Sequence, residues 1–582
     1  MLSRPFISLC APWLAASMAF TQTDTSSMKQ ADAAFHAGYA AASNGDLTTA
    51  RQQFQRVVQL APQIEEGHSA LGGVLYQLGD YPGAMKELEK ALSLKPRDRS
   101  AQENLALAYT DAGNPQKALP YFAALEDDTS QPASPDVLAA HARALAATQQ
   151  IPAAIQKMQE ALAASPQNAL LFDQLGSLYA QAQDWTQAQS GFEHALQINP
   201  SLASAHLHLG VVLSNQQQMD AAIHELTTAA QLAPKVAMAQ LELGKALAAD
   251  NRDTDAISHF QQALLLDPSL IEGTQQLAMA LQRTGKEREA IPLFQKVVAA
   301  QPQNVSALTN LGLALVQTGN AKDAIPFYQR ALHIAPGDAT AHQDLGVAYL
   351  QQSDMDDAIR EFQAGLALAS DNPQLHYNLG LAYKLKDDSP HAISELQIAA
   401  KLDPAAPDPP YTLGILYMQQ GRFDDAAVQL STALAQRPEN GDGWAVLGSV
   451  YQQQAKYDDA VAALRKAIAL LPNQPGPHIT LATVLQEQGK KEDAAVERKT
   501  AADLTRVAVN RQRATFATNT GNVLLQKGEI ADAIASYQDA ISSDASYAEA
   551  HRQLAAAYER QGRTADAVAE RAKASALESG HR

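Results

Sequence analysis

Cysteine is nearly absent from this sequence. Cys10 is the single one in 582 residues, which excludes a disulfide within the chain and any cysteine-based metal centre. Stability must come from packing. Aromatic residues are also scarce, at 6%, while alanine is plentiful. Alanine is the strongest helix former and lets helices approach closely, so the composition leans all-α. Basic side chains are outnumbered, 44 against 62 acidic, for a net charge of −18. Such a surface repels phosphate backbones, which argues against a general nucleic-acid binder. The exception is a basic stretch with Arg498, Lys499, Arg506, Arg511 and Arg513, read either as a solvated helix face or as an anion site. With 46% apolar and 18% charged residues, wholesale disorder is excluded.

No apolar run reaches the roughly 20 residues of a membrane span. The nearest approach is a short segment from Phe6 to Ala15, preceded by Arg4 and interrupted by Pro12. Ser17-Met18-Ala19 then places small residues at −3 and −1 of a cleavage point. The expectation is an export signal over 1–19, a linker over 20–30 and a secreted or periplasmic protein. The alternatives are a membrane anchor formed by the uncleaved segment and a lipoprotein at Cys10. The latter is the weaker because large Leu9 precedes the cysteine.

Prolines recur at one interval. Pro62 and Pro96 are 34 residues apart, and the same step links Pro132, Pro166, Pro200, Pro234, Pro268, Pro302 and Pro336. The series skips Ser370 and resumes at Pro404, Pro438 and Pro472. Glycine keeps the same step at Gly176, Gly210, Gly244, Gly312, Gly346, Gly380, Gly414 and Gly448 with only Ala278 intervening, and alanine follows twelve residues later. Four further on comes a large apolar residue, as at Phe54, Phe192, Phe260, Tyr328 or Leu430.

Leu-Gly, then alanine, aromatic and proline in a 34-residue unit resembles the tetratricopeptide-repeat family. The resemblance covers about 31–581 as sixteen units. It implies an all-α fold, a right-handed α-α superhelical solenoid of helix-turn-helix repeats. No unit buries its apolar face alone, so stacking supplies the core. Glycine on the first helix is expected to face alanine on the second. Proline blocks helix continuation where the next turn begins. Fourteen repeats are expected over 31–506, an irregular basic junction at 507–513, where the register gains five residues, and two more repeats at 514–581. Arg571 replaces the aromatic of the last repeat, as suits a cap facing water.

The resemblance implies that first helices line the inner groove. The residue before each recurring leucine, or before Thr520 in repeat 15, then points into it: Asn104, Gln174, Gln276, Asn310, Asp344, Asn378, Asn519 and Gln553, with His208, Glu242, Thr412 and Val446 interrupting the amides. A ladder of amides can pair with the backbone of an extended peptide. The other reading is a row of solvated polar positions. Three residues on runs an apolar strip, Met279, Leu313, Val347, Leu381 and Ile415, with Tyr377 and Tyr411 one residue before the ladder. Ladder and strip share a helix face. The strip either faces a ligand or packs on the next repeat. A carboxylate clamp is not expected, because the matching pairs Glu103/Leu107, Gln275/Met279 and Thr518/Asn522 have no lysine.

Catalytic motifs are missing. His224-Glu225 lacks the second histidine of a zinc protease, since Thr228 stands there, and Gly244-Lys245 lacks the upstream glycine of a phosphate loop. His206 and His208 read as structural. No cofactor or metal is expected. The sequence points to a non-catalytic scaffold that binds protein or extended peptide along its groove. A polymer-binding accessory protein and an enzyme with an unfamiliar groove site are the rivals. Oligomeric state is not set by the sequence.

Overall fold

The computed structural model describes residues 24–127 and 131–579. The expected signal segment, 1–19, lies outside the described residues. Helix makes up 81% of the described residues, and no strand occurs among them, so the all-α expectation holds. Thirty-one helices follow one another there as antiparallel pairs. None is long and apolar enough to cross a membrane.

The chain divides into two compact units, 1–302 and 303–582. Within each, a first helix packs against its own second helix, and that second helix packs against the next first helix. First helices of successive repeats also touch, for example Val305–Gln317 with Ala339–Gln351 and Ala339–Gln351 with Pro373–Leu385. They therefore form the inner face of each stack.

Local sequence explains the boundaries. Asn304 caps Val305–Gln317 by accepting the Ala307 N–H at 3.0 Å, and Asp184 caps Trp185–Ile198 through the Gln187 N–H at 3.1 Å. These bonds satisfy donors that the first turn leaves unpaired. The turn inside each pair needs one left-handed residue. Glycine supplies it at Gly285, Gly319, Gly421 and Gly489, but Gln183, Gln217, Ser353 and Ala455 adopt the same conformation in other repeats.

Two expected boundaries are corrected. The linker 20–30 is helical from Asp24 onward, because Asp24–Ser43 forms one helix with no proline or glycine before Gly38 to stop it. The irregular junction at 507–513 is also helix. Lys491–Lys527 is a single 37-residue helix, about 55 Å long at 1.5 Å per residue. It fuses the second helix of repeat 14 with the first of repeat 15, and the five extra residues extend the helix instead of breaking it.

Glycine does face the alanine of the second helix, as at Gly72, where a β-carbon would stand 3.3 Å from the Ala84 carbonyl, but the large residue lies nearer still. A β-carbon on Gly312 would stand 2.6 Å from Cζ of Tyr328, and one on Gly346 would stand 2.5 Å from Cε1 of Phe362. The glycine is overlaid by the large residue, while the alanine four positions earlier keeps the second helix close.

A second repeating device ties the pairs. His68, His206, His342, His376, His478 and His551 each set Nδ1 within 2.5–2.7 Å of a glutamate 19 residues later: Glu87, Glu225, Glu361, Glu395, Glu497 and Glu570. In four of them Nε2 also lies 3.0–3.2 Å from the carbonyl six residues earlier. First helix, second helix and preceding loop are thus joined by one ring.

Candidate peptide-binding groove

The structure places Asn310, Asp344 and Asn378 on the first helices of three successive repeats in the second unit, Val305–Gln317, Ala339–Gln351 and Pro373–Leu385. Leu313, Val347 and Leu381 lie one turn along the same helices, and Tyr411 and Ile415 lie on Asp408–Gln419. Gln276 and Met279 repeat the pattern on Ile271–Arg283, in the first unit.

The ladder is less solvated than its polarity suggests. Asn104 and Asn378 are buried, and Gln276, Asn310 and Asp344 are half-buried. At Asn104 the cause is contact with the adjacent repeat. Asn104 lies over Gly73 of the preceding repeat, where a β-carbon would meet its Nδ2 at 3.3 Å. Asn104 therefore sits above the strip position of the repeat before it.

Several ladder groups are already engaged. Asn378 Oδ1 accepts from Gln374 Nε2 at 3.1 Å. Asn310 Nδ2 donates to the Ser306 carbonyl at 2.8 Å. His208 meets buried Asp173 of the preceding repeat at 2.8 Å, and Ser204 donates to the same carboxylate at 2.8 Å. The Tyr377 hydroxyl lies near Thr412 of the next repeat. Glu242 is held by Lys245, which also reaches Glu272 of the next repeat; both contacts are 2.9 Å. These cross-repeat links escaped the sequence reading. The pairing of a residue with one 35 positions later was a detectable signal.

Asp344 is electrostatically distinct. Burial, assisted by the nearby charge of Asp338, pushes its carboxyl up to about 6. Tyr328, beneath it, is fully buried, and burial raises its hydroxyl far above the usual phenol range. That hydroxyl has no hydrogen-bond partner among the described residues. Its counterpart Tyr537 donates to Asn522 at 2.8 Å, and the position equivalent to Asn522 is Leu313 in Tyr328's repeat.

The strip is half-buried at Met279, Leu313, Val347, Leu381 and Ile415. Val347 packs against the cluster of Ala358, Phe362, Leu375, Leu379 and Ala382, while Tyr377 and Tyr411 pack on the cluster around Leu413 and Leu430. Part of Val347, Tyr377 and Tyr411 is therefore structural, and the rest of each is accessible.

No group of three or more His, Cys, Asp or Glu is placed to hold a metal among the described residues. Glu225, the acid of the broken zinc-protease motif, is held by His206 at 2.6 Å.

Comparison with known proteins fits this geometry. Residues 28–63, 69–135, 105–169 and 212–270 match the tetratricopeptide repeat, and 521–562 match a TPR repeat. Residues 304–517 match the cilia and flagella-associated protein 70 C-terminal domain, and 264–336 match the bacterial transcriptional activator domain. No curated protein matches the chain. Among solved structures, MamA 41-end from Desulfovibrio magneticus RS-1 is 22% identical, covering 29% of this chain and 96% of its own, with a TM-score of 0.28. The APC/C hetero-tetramer Cut9–Hcn1 is 16% identical over 92% and 99%, with a TM-score of 0.33. YrrB, described as a TPR protein with an unusual peptide-binding site, is 24% identical over 31% and 92%, with a TM-score of 0.29. From its repeat matches and its tandem helix pairs, the chain belongs to the tetratricopeptide-repeat family.

Proposed function

We propose that the chain is a non-catalytic interaction scaffold whose first-helix face in repeats 9–12 receives an extended peptide. The observation that supports this most directly is the half-exposed apolar strip Leu313, Val347, Leu381 and Ile415, flanked on the same helices by polar side chains. The strip takes apolar side chains. Asn310, whose amide donates to the Ser306 carbonyl at 2.8 Å and to the Ser306 hydroxyl at 3.3 Å, lies beside the strip on the same helix and supplies an amide for the peptide backbone. Gln276 and Met279 carry the same pair of residue types on a helix of the first unit. Repeat proteins of this family bind protein partners, and nothing in the groove resembles a reaction centre.

The test is a display library of unstructured peptides panned on the full chain. Asn310→Ala and Leu381→Ser should each weaken a recovered peptide by roughly 2- to 12-fold, the equivalent of about 0.5–1.5 kcal/mol. Recovered peptides that bind both variants unchanged would remove the groove from consideration. The reading includes export, supported by Arg4, the apolar segment and Ser17-Met18-Ala19. N-terminal sequencing of the native protein should then begin near Phe20. An intact Met1 on cytoplasmic protein would contradict export.

A further inference from the structure

The long helix Lys491–Lys527 leaves two faces bare that are pressed together elsewhere. In repeat 11, Leu375, Leu379 and Ala382 of the first helix pack on Ala358 and Phe362 of the preceding second helix. Their counterparts in repeat 15, counted from Gly521, are Phe516, Thr520 and Val523. Phe516 is 75% exposed and Val523 50%, because the preceding second helix runs straight into this one and cannot fold back on it. On the other side of the gap, Arg498 stands where Phe362 stands in repeat 10. Ile479, on the first helix Pro475–Glu487, is 54% exposed. Thr483, the strip position of this repeat, is exposed too. No first helix follows to cover them.

What remains is an open groove of about 620 Å³ between the two helices, whose lining includes Ile479, Arg498, Ala502, Arg506, Val509 and Arg513. The three arginines are 8 and 7 residues apart, about 12 and 10 Å along the helix, and fall on one side of it. Arg506 meets Asp503 at 3.0 Å. Arg498 and Arg513 have no acidic partner among the described residues. Arg511 faces elsewhere, bonded to Asp544 and Ser546 and stacked on Tyr547 at 5.0 Å. In a chain of net charge −18, this is a concentrated positive site with an apolar floor.

We propose that this groove seats an amphipathic helix from an acidic segment of a partner protein. The helix occupies the place that a first helix takes elsewhere in the array. Its apolar stripe lies on Ile479 and Val509, and its flanking carboxylates meet Arg498 and Arg513 in charge-assisted hydrogen bonds. Residues 1–23 contain no Asp or Glu, so that segment of the chain does not supply the chemistry. The site is separate from the groove in repeats 9–12 and does not depend on it.

The probe is a fluorescein-labelled helical peptide of about 18 residues, five turns long, with leucines on one face and glutamates beside them. It is titrated into the full chain next to the same peptide with lysine in place of glutamate and next to a single-stranded thymidine oligonucleotide. The glutamate peptide should bind saturably, more weakly with rising salt, and the lysine peptide should not bind. Arg498→Glu with Arg513→Glu should weaken binding at least about tenfold, Ile479→Asp should do the same, and Arg498→Gln with Arg513→Gln should fall between. All these positions are exposed, and thermal melts should match the parent. Asn310→Ala should leave this binding unchanged, which separates the site from the peptide groove. The proposal is overturned if the glutamate peptide does not bind, or if it binds every variant equally. It is also overturned if the oligonucleotide binds as tightly and depends on the same arginines. A dimer in sedimentation that Ile479→Asp dissolves would overturn it in favour of a second copy.

Discussion

The ring of Tyr328 covers Gly312 so closely that a β-carbon at position 312 would stand 2.6 Å from the ring's Cζ. The ring is fully buried and has nowhere to retreat. Gly312→Ala should therefore destabilise the protein by about 1–3 kcal/mol, the usual cost of overpacking. Gly337 is the control. It has open space around it and no left-handed backbone, so Gly337→Ala should be neutral or stabilise by about 0.4–1 kcal/mol. Urea unfolding of both variants checks the contrast, and equal losses would contradict the ring contact.

Tyr328→Phe should stabilise the protein. The hydroxyl is buried without a partner, and Phe192, Phe260, Phe294 and Phe362 fill the same position in other repeats. Removing an unsatisfied group should gain about 1 kcal/mol or more. Tyr537→Phe should do the opposite, since that hydroxyl donates to Asn522. A pair of thermal melts moving in the same direction would refute the distinction.

Asp344 makes stability depend on pH. Burial raises its folded-state value from 3.8 to about 6, so the folded protein holds this proton to higher pH than the unfolded chain does. Its contribution to stability therefore falls as pH rises from about 4 to about 6 and is level above that. Asp344→Asn should stabilise the protein at pH 7 by no more than ~3 kcal/mol and by much less near pH 4. Urea midpoints at the two pH values give the answer. An equal gain at both would mean that the carboxyl titrates normally.

Ala455→Gly should stabilise repeat 13. Ala455 has φ 56° in a turn where the neighbouring repeats use Gly421 and Gly489. The left-handed conformation costs a residue with a β-carbon about 1–2 kcal/mol, and the greater freedom of glycine in the unfolded chain offsets part of that. The reverse change, Gly421→Ala, should destabilise by a similar amount. Thermal melts of both test the turn.

Most of the fold is legible in the sequence because each repeat solves the same packing problem, so Gly312, Tyr328 and Pro336 recur in step. Burial of the ladder is not. Asn378 and Asn519 occupy equivalent sequence positions, yet one is buried and the other exposed, because exposure depends on what the adjacent repeat lays over the side chain. The long helix left a trace that the register count alone misread. Arg506 stands where the proline series calls for its next member, and no glycine or proline falls between Lys490 and Thr520 to end the helix. An insertion reads as a loop only when something in it stops the helix. The histidine–glutamate ties were visible as pairs 19 residues apart, but that spacing acquires meaning only once both helices are in place.

The straight helix from Lys491 to Lys527 changes how the array comes apart. A stack of repeats melts cooperatively because each interface penalises a boundary between folded and unfolded neighbours. Between repeats 14 and 15 the interface is replaced by backbone continuity, and the penalty for such a boundary is at its smallest there. An unfolding front arriving from either side has least reason to cross. Repeats 15 and 16, with their own core around Tyr537 and Tyr558, can therefore open and close without carrying the rest, giving amide exchange in 530–579 a rate of its own.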